Sequence, residues 1–329
     1  MLDRLNLDAV RAAFARLRDA RAAGNEAVIE TPLVPHRTPG GARLWIKAEG
    51  LQPVGSFKIR GASHLIGRLP PGTEGVVAHS SGNHAQAVAR AARGAGLRAL
   101  IVMPNDAPEL KRTRTAEDGA EILEVGPDSS ERAERAALES ERRGWPLVPP
   151  YDHPDIAAGQ GTAALEALEQ LGDLPLSRMY CPVSGGGLMA GCATVVSALR
   201  PDTEIVGVEP ALADDTARSL AAGKRVAIAP PQTIADGLRV RVPGERTFPV
   251  LQARIGRMAL VSEDQILDAM AYALRRLRLV LEPSGATALA AALAEGAEDA
   301  LVIASGANAD PALLTEVTAR KTCAWERGV

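Results

Sequence analysis

Residues 55–62 read Gly-Ser-Phe-Lys-Ile-Arg-Gly-Ala and place one lysine, Lys58, in a compact run with glycines on both sides. Lysine is scarce in this chain, in which Lys and Arg together number 37 but the lysines are only Lys47, Lys58, Lys111, Lys224 and Lys321. A guanidinium stays protonated and cannot condense with an aldehyde, whereas a desolvated amine can lose its proton and act as a nucleophile. Lys58 is therefore the leading candidate for a covalent cofactor anchor, and a solvated surface lysine is the alternative interpretation.

Outward from this run, short apolar segments alternate with Ala-, Arg- and Glu-rich helical patterns over all 329 residues. The predicted strands are 44–47, 75–78, 99–103, 121–125, 179–183, 204–208, 259–261 and 300–304. The predicted helices are 8–23, 83–93, 130–143, 156–171, 188–199, 263–277 and 285–294. Strands that alternate with helices of this length predict crossover units and parallel sheets, in which ligands gather at the carboxyl ends of strands. The length favours two domains.

Composition excludes several classes of function. The net charge is -3 and no basic stripe is present, so we expect no nucleic-acid partner. No apolar run reaches the length that spans a bilayer, and the first helix lacks the apolar region of a signal peptide. The cysteines Cys181, Cys192 and Cys323 form no CxxC pair and cannot all be joined in disulfides. We therefore expect a cytoplasmic protein with no membrane partner.

The glycine run at 181–188, Cys-Pro-Val-Ser-Gly-Gly-Gly-Leu, ends a predicted strand and opens a predicted helix. Consecutive glycines let backbone N–H groups converge at a helix N-terminus, which suits a phosphate. The same segment also fits the dinucleotide pattern Gly185-x-Gly187-x-x-Ala190, with Glu209 at the end of the next strand where a ribose-binding acid would lie. This segment alone leaves both interpretations open.

Two further runs of small and polar residues follow predicted strands. Residues 79–86, His-Ser-Ser-Gly-Asn-His-Ala-Gln, join a strand to a helix that Ser80 or Ser81 could cap, and such a turn can hold a carboxylate. Residues 304–308, Ala-Ser-Gly-Ala-Asn, could approach a flat ligand closely. A capped helix and an ordinary loop are the respective alternatives.

Acidic residues near the end of the strand at 204–208 form a separate group. Glu209, Asp214 and Asp215 supply the hard oxygen ligands that Mg²⁺ or Ca²⁺ prefers. Asp214 or Asp215 could instead cap a following helix.

The motifs in combination resemble those of the threonine dehydratase and serine racemase group of fold-type-II pyridoxal-phosphate enzymes. The motifs are GSFKIRGA (55–62), SSGNHAQ (80–86), SGGGLMAG (184–191), TIADG (233–237) and SGAN (305–308), and the resemblance covers essentially the whole chain. It implies an α/β fold with two domains, like that of the tryptophan synthase β chain, with parallel-sheet cores and flanking helices. Residues 1–52 and 147–329 would form the large cofactor-binding domain, and residues 53–146 a small mobile substrate domain.

The same resemblance implies roles around pyridoxal 5'-phosphate. Lys58 would bind the cofactor as a Schiff base, and Phe57 would pack against its pyridine ring. The remaining implied cofactor contacts are Asn83 at the hydroxyl, Ser184, Gly185, Gly186, Gly187 and Leu188 around the phosphate, and Ser305 at the ring nitrogen. Ser184 stands where many relatives have a fourth glycine.

Substrate and metal residues are implied in the same way. The implied substrate-binding residues are Ser80, Ser81, Asn83, His84 and Arg132, and Ser81 would exchange a proton on the side opposite Lys58. The implied cation ligands are Glu209, Asp215 and the carbonyl of Ala213, with Mg²⁺ as the expected ion and Ca²⁺ or Mn²⁺ as alternatives. Val240 departs from relatives that carry Ser or Thr there, which weakens any transfer of substrate specificity.

The expected activity is that of an ammonia-lyase that converts L-threonine, L-serine or 3-hydroxyaspartate into a 2-oxo acid and ammonia. A serine racemase is the alternative within the same class, because Ser81 and Lys58 would supply acid and base on opposite faces. Outside that class, the chain could be a non-catalytic nucleotide- or amino-acid-binding protein. We expect a homodimer.

Overall fold

A computed structural model of the chain describes residues 4–80, 82–107, 109–126, 129–321 and 325. The strands are β1 Leu33–Arg37, β2 Arg43–Ala48, β3 Gly75–His79, β4 Arg98–Pro104, β5 Glu121–Val125, β6 Arg178–Pro182, β7 Glu204–Pro210, β8 Arg257–Val261 and β9 Ala300–Ala304. The helices are α1 Leu7–Ala22, α2 Lys58–Ile66, α3 Asn83–Gly94, α4 Glu109–Glu117, α5 Ser129–Arg143, α6 Pro154–Leu171, α7 Gly187–Leu199, α8 Asp215–Ala222, α9 Phe248–Arg254, α10 Glu263–Tyr272, α11 Pro283–Ala294 and α12 Pro311–Ala319. Short 3-10 turns cover Glu49–Leu51 and Asp236–Leu238, and a π turn covers Ala273–Leu277.

The strands form two sheets. The larger has the order β1-β2-β9-β6-β7-β8, in which β1 is antiparallel to its neighbour and the other pairs are parallel. The smaller has the order β3-β4-β5 and is parallel throughout. Its strands lie in the chain between β2 and β6, so the smaller sheet is an insertion within the larger one. The predicted α/β class with parallel-sheet cores is confirmed, whereas the domain boundaries and the mobility of residues 53–146 stay predictions.

All eight predicted strands are present, with ends that differ by at most two residues. Strand β9 illustrates why these strands could be predicted from their apolar runs. Each of its residues is buried, as expected for a central parallel strand covered by helices on both faces. Strand β1 was not predicted, because it is a half-exposed edge strand that contains Pro35 and lacks a continuous apolar run. Helices α2, α4, α9 and α12 were not predicted either.

A buried network of four charges fastens α2 to the larger sheet. Lys47 of β2 donates to Glu166 of α6 at 2.6 Å. Arg60 of α2 donates to Glu49 at 2.7 Å and to Glu166 at 2.8 Å. All four side chains are buried, and their two positive charges match their two negative charges. Because Lys58 is the first residue of α2, this network fixes the backbone that carries it.

Other expectations concern the cysteines and the membrane. Cys181 and Cys192 are free and buried, and Cys323 lies outside the described residues. Among the residues that the structure describes, no helix has both the length and the apolar character needed to cross a bilayer.

Candidate active site

A cavity of about 250 Å³ lies where the carboxyl ends of strands from both sheets meet. It brings together nearly all of the residues predicted for cofactor and substrate. Those that line it are Phe57, Lys58, Ser80, Asn83, His84, Arg132, Ser184, Gly185, Gly186, Gly187, Leu188 and Ser305. Ser81 lies outside the described residues, and its role stays a prediction. Val240, singled out by sequence as a departure, also lines the cavity.

Lys58 projects from the first turn of α2 into this cavity. Its Nζ donates a hydrogen bond to the Pro150 carbonyl at 2.8 Å and lies 5.1 Å from the centre of the Phe57 ring. Burial lowers the pKa of Lys58 to about 8, although the nearby Glu282 opposes that shift. A substantial fraction of the amine is therefore uncharged near pH 8, which a nucleophile or base requires.

Phe57 and Ser305 lie side by side on the same wall. The Phe57 N–H donates to the Ser305 carbonyl at 3.0 Å, so the end of β9 positions both residues. The Ser305 hydroxyl is buried, and its bond to the Ser284 carbonyl is long, at 3.5 Å. A bond of that length is weak, which leaves the hydroxyl able to bind a ring nitrogen instead.

The glycine turn before α7 fits a phosphate. Gly186 is the N-cap of α7 with φ of 93°, a conformation that favours glycine. A Cβ at Gly185 would overlap the Tyr151 ring, and one at Gly186 would lie 2.8 Å from the Thr247 hydroxyl. Side chains are thus excluded, and free N–H groups at a helix N-terminus remain for an anion.

The loop before α3 differs in part from expectation. Gly82 is the N-cap of α3 and has no side chain that could form a capping bond. The Ser80 hydroxyl instead accepts a hydrogen bond from the Gly82 N–H at 3.1 Å, so the prediction that Ser80 caps this helix was wrong. His84 contacts the Val148 carbonyl through Nε2 at 2.9 Å. Because a carbonyl can only accept, Nε2 carries the proton and burial lowers the pKa of His84 to about 3, so the ring is neutral.

The sequence reasoning gave no role to several residues of the cavity, among them Glu282, Lys111 and Asp236. Glu282, at the N-cap of α11, is 2% exposed, and its Oε1 accepts from Asn83 Nδ2 at 2.6 Å. Lys111 of α4 forms an ion pair with Asp236, which links the two walls of the cavity. A charged residue inside the apolar run at 279–286 was the available signal for Glu282, and Asp236 lies within the TIADG motif.

Glu209 and Asp215 form a second buried acidic group, outside the lining of this cavity. The Glu209 carboxylate accepts the N–H of Thr216 at 3.3 Å and of Ala217 at 3.0 Å, at the start of α8. Asp214 lies at the N-cap position of α8, as the helix-cap interpretation expected, but its side chain pairs with Arg218 and the Glu209 carboxylate makes the capping bonds instead. This placement gives no support to a ribose-binding role for Glu209.

Asp215 has the environment expected of a cation ligand. Both of its carboxylate oxygens are buried and have no hydrogen-bond partner among the described residues. Burial raises the pKa of Asp215 to about 7, and burial together with Asp215 raises the pKa of Glu209 well above its usual range. Within the described part of the chain, no three His, Cys, Asp or Glu side chains cluster, so a cation here would also need backbone or water oxygens.

Comparisons with known proteins agree with this geometry. Residues 25–306 match the family model described as "Pyridoxal-phosphate dependent enzyme". The chain is 41% identical over 266 residues to an L-threo-3-hydroxyaspartate ammonia-lyase of a Pseudomonas species, a match that covers 79% of this chain and 83% of that one.

Two solved structures are similar over nearly their whole length. A threonine deaminase from T.th. is 43% identical with a TM-score of 0.86, and the match covers 93% of this chain and 99% of that one. A maize serine racemase is 36% identical with a TM-score of 0.86, and the match covers 95% and 96% of the two chains. The lysine-bearing cavity, the phosphate-fitting turn and these matches together show that the chain belongs to the family of pyridoxal-phosphate-dependent enzymes.

Proposed function

We propose that this enzyme is an ammonia-lyase that converts L-threonine, L-serine or 3-hydroxyaspartate into a 2-oxo acid and ammonia. The observation that carries the proposal is the cavity in which the Lys58 amine and the Ser305 hydroxyl lie beside a glycine turn that fits a phosphate. The similarity to a hydroxyaspartate ammonia-lyase and to a threonine deaminase supports the same reaction class. A non-catalytic nucleotide-binding role would leave Lys58 without a function.

The residues of the chain divide the work. Pyridoxal phosphate, when bound, withdraws electrons from the substrate Cα and so makes its proton acidic. Lys58 would hold the cofactor covalently and, once displaced by the substrate amine, would remove that proton. The N–H groups of Gly185, Gly186 and Gly187 would bind the phosphate, with Ser184 and Leu188 at the two ends of the turn.

Ser305 favours elimination over other reactions of such enzymes. A neutral hydroxyl would not hold the ring nitrogen protonated, as a carboxylate would, so the bound cofactor would withdraw electrons less strongly. Elimination tolerates this because the departing β-hydroxyl takes the electron pair. Transamination has no leaving group to take the electron pair, so it depends more strongly on a protonated ring nitrogen.

The substrate carboxylate would bind at the loop that carries Ser80 and Asn83. Arg132, which lines the same cavity, would help to hold it. Ser80 keeps its hydroxyl proton for this purpose, because its oxygen accepts from Gly82. His84 would accept a hydrogen bond from substrate through Nδ1, since its Nε2 proton is used at Val148.

A direct assay tests the proposal. Purified enzyme supplied with pyridoxal phosphate should release 2-oxo acid and ammonia in equal amounts from at least one of the three L-3-hydroxy amino acids. L-Alanine, which has no β-hydroxyl, is the matched negative control. Failure of all three hydroxy substrates with cofactor-loaded enzyme would rule the proposal out.

Serine racemase activity is a second candidate, supported by the similarity to the maize enzyme. Ser81 would return a proton to the face of Cα opposite Lys58. Ser81→Ala should therefore suppress formation of D-serine far more than formation of 2-oxo acid. Equal losses of the two activities would assign Ser81 to binding instead.

We also propose a divalent cation at Glu209, Asp215 and the Ala213 carbonyl, most simply Mg²⁺ that keeps several waters. Two buried carboxylates with raised pKa values, one of them without partners among the described residues, support this proposal. The homodimer stays a prediction, for which sedimentation equilibrium is the test.

A further inference from the structure

The β-hydroxyl of a 3-hydroxy amino acid needs a proton before it can leave. Hydroxide is a poor leaving group, and general acid catalysis of such a step typically contributes roughly 100-fold to 10,000-fold. The proposed reaction therefore requires a group in the cavity that can supply that proton.

Most of the titratable groups in the cavity are poor candidates. His84 is neutral, and its Nε2–H already donates a hydrogen bond to the Val148 carbonyl. Burial lowers the pKa of His79 and raises the pKa of Tyr151, so neither is a ready acid near neutral pH. The Asp236 carboxylate is already engaged in an ion pair with Lys111.

Glu282 is different in both its position and its environment. Its carboxyl lines the cavity, is 2% exposed, and uses Oε1 to accept a hydrogen bond from Asn83. Its Oε2 is buried and has no hydrogen-bond partner among the residues described. A carboxyl in such surroundings favours the protonated form, which would place the proton on Oε2.

We propose that Glu282 is the general acid that protonates the departing β-hydroxyl, an inference that rests on the ammonia-lyase function proposed above. The Cα proton passes to Lys58 Nζ, and the electron pair of that C–H bond becomes the second bond between Cα and Cβ. The Cβ–O bond breaks with its pair on oxygen, and the Glu282 proton completes a water molecule. Glu282 is left as a carboxylate and regains a proton from solvent. The released enamine then takes up water and yields the 2-oxo acid and ammonia.

The charged groups that face Glu282 fit this cycle. Burial, with a smaller contribution from Asp236, raises the pKa of Glu282 to about 7, while Lys111 and hydrogen bonds from Asn83 and the Asn308 backbone oppose the shift. Lys58 also faces this carboxyl, since Glu282 raises the pKa of Lys58. A pKa near 7 allows both release and recovery of the proton in neutral solution.

The test compares two leaving groups at the same carbon. The best of the three hydroxy substrates is paired with its analogue that carries chlorine in place of the hydroxyl, for example L-serine with β-chloro-L-alanine. Chloride leaves without a proton, and both members of that pair yield the same 2-oxo acid. Glu282→Gln keeps the size of the side chain and an oxygen for Asn83, but it has no acidic proton.

We expect Glu282→Gln to lower kcat/KM for the hydroxy substrate by roughly 100-fold or more, and for the chloro analogue by less than about fivefold. Asp236→Asn, which changes another carboxylate of the same cavity, should alter both substrates by the same factor when the rates are compared well below pH 7, where Glu282 is protonated in both proteins. Cofactor absorbance of the two variants should match that of the wild type. Equal losses on both substrates in Glu282→Gln, or no loss on either, would overturn the assignment and leave the proton to Lys58 or the cofactor phosphate.

The wild-type enzyme provides a second test that does not depend on a variant that folds. The ratio of kcat/KM for the hydroxy substrate to that for the chloro analogue should fall as pH rises above about 7, because only protonated Glu282 can act. Ionisation of Lys58 affects both substrates and cancels in this ratio. A ratio that is flat with pH would overturn the proposal. Wild-type enzyme that acts on no hydroxy substrate would instead refute the ammonia-lyase function, and the role of Glu282 with it.

Discussion

At the scale of single residues, the five lysines can be separated by their partners. Lys47 is buried against Glu166, and Lys111 is paired with Asp236, so a carboxylate engages the amine of each. Lys58 donates to a carbonyl rather than to a carboxylate, and burial lowers its pKa to about 8. Its amine is therefore the one of these three that is prepared to attack an aldehyde.

Borohydride reduction of the holoenzyme, followed by peptide mapping, should attach the cofactor to Lys58. Lys58→Arg should abolish both the label and turnover, because a guanidinium cannot form the bond. Lys224→Arg is the control and should retain both. A label on Lys47 or Lys111 would contradict the assignment.

The sequence singled out Lys58 as a candidate active-site residue, but it did not single out Glu282. Lys58 is conspicuous because lysine is rare here and because glycines flank it. Glu282 looks like an ordinary helix N-cap before Pro283, and its meaning depends on Asn83, which lies 199 residues away in the chain. A contact of that kind appears only when the two sheets are brought together.

At the scale of elements, the turn before α7 works through the absence of side chains. A methyl group at Gly185 would overlap Tyr151 and force the turn away from the space that a phosphate would fill. We expect Gly185→Ala to weaken pyridoxal phosphate binding at least tenfold in an absorbance titration, which is about 1.4 kcal/mol. Gly40→Ala, in open space on the surface, should bind like the wild type. Unchanged affinity in Gly185→Ala would argue against this phosphate site.

Helix α2 depends on its buried charges. Arg60→Met would leave Glu49 without its cation and Glu166 with Lys47 alone, and removal of one partner of a buried ion pair typically costs about 3–5 kcal/mol. Denaturant unfolding should show a loss of that size. Arg68→Met removes an exposed pair with Asp155 and should cost less than about 1 kcal/mol. A small loss in Arg60→Met would mean that the remaining charges reorganise.

Elements were predictable from sequence wherever one physical signal dominated. The central strands are short apolar runs, and all eight predicted ones are present. Helix α2 lacks such a signal, because its sequence contains Gly61 and buries Arg60, and only the network around Arg60 explains why a charge lies on its packed face.

At the scale of the whole molecule, a bound cation should stabilise the folded chain. A ligand at about 100 times its dissociation constant adds roughly 2.7 kcal/mol if it binds only the native state. Exhaustive chelation should therefore lower Tm, and Mg²⁺ should restore it.

Asp215→Ala should abolish that response, because it removes a buried carboxylate with no other partner among the described residues. Asp214→Ala is the matched control, since that side chain pairs with Arg218, and its response to Mg²⁺ should persist. A melting curve of the wild type that ignores chelation would exclude the cation.

The buried network of Lys47, Glu49, Arg60 and Glu166 also affects which part of the cavity unfolds first when the enzyme is heated. The cost of desolvating charged groups falls as temperature rises, while stabilisation by apolar burial levels off. The start of α2 should therefore stay folded to a higher temperature than α4, whose Arg112–Glu124 ion pair is exposed. Helix α4 carries Lys111 on the wall of the cavity, so thermal inactivation should begin with loss of that wall while the coloured cofactor is still attached to Lys58.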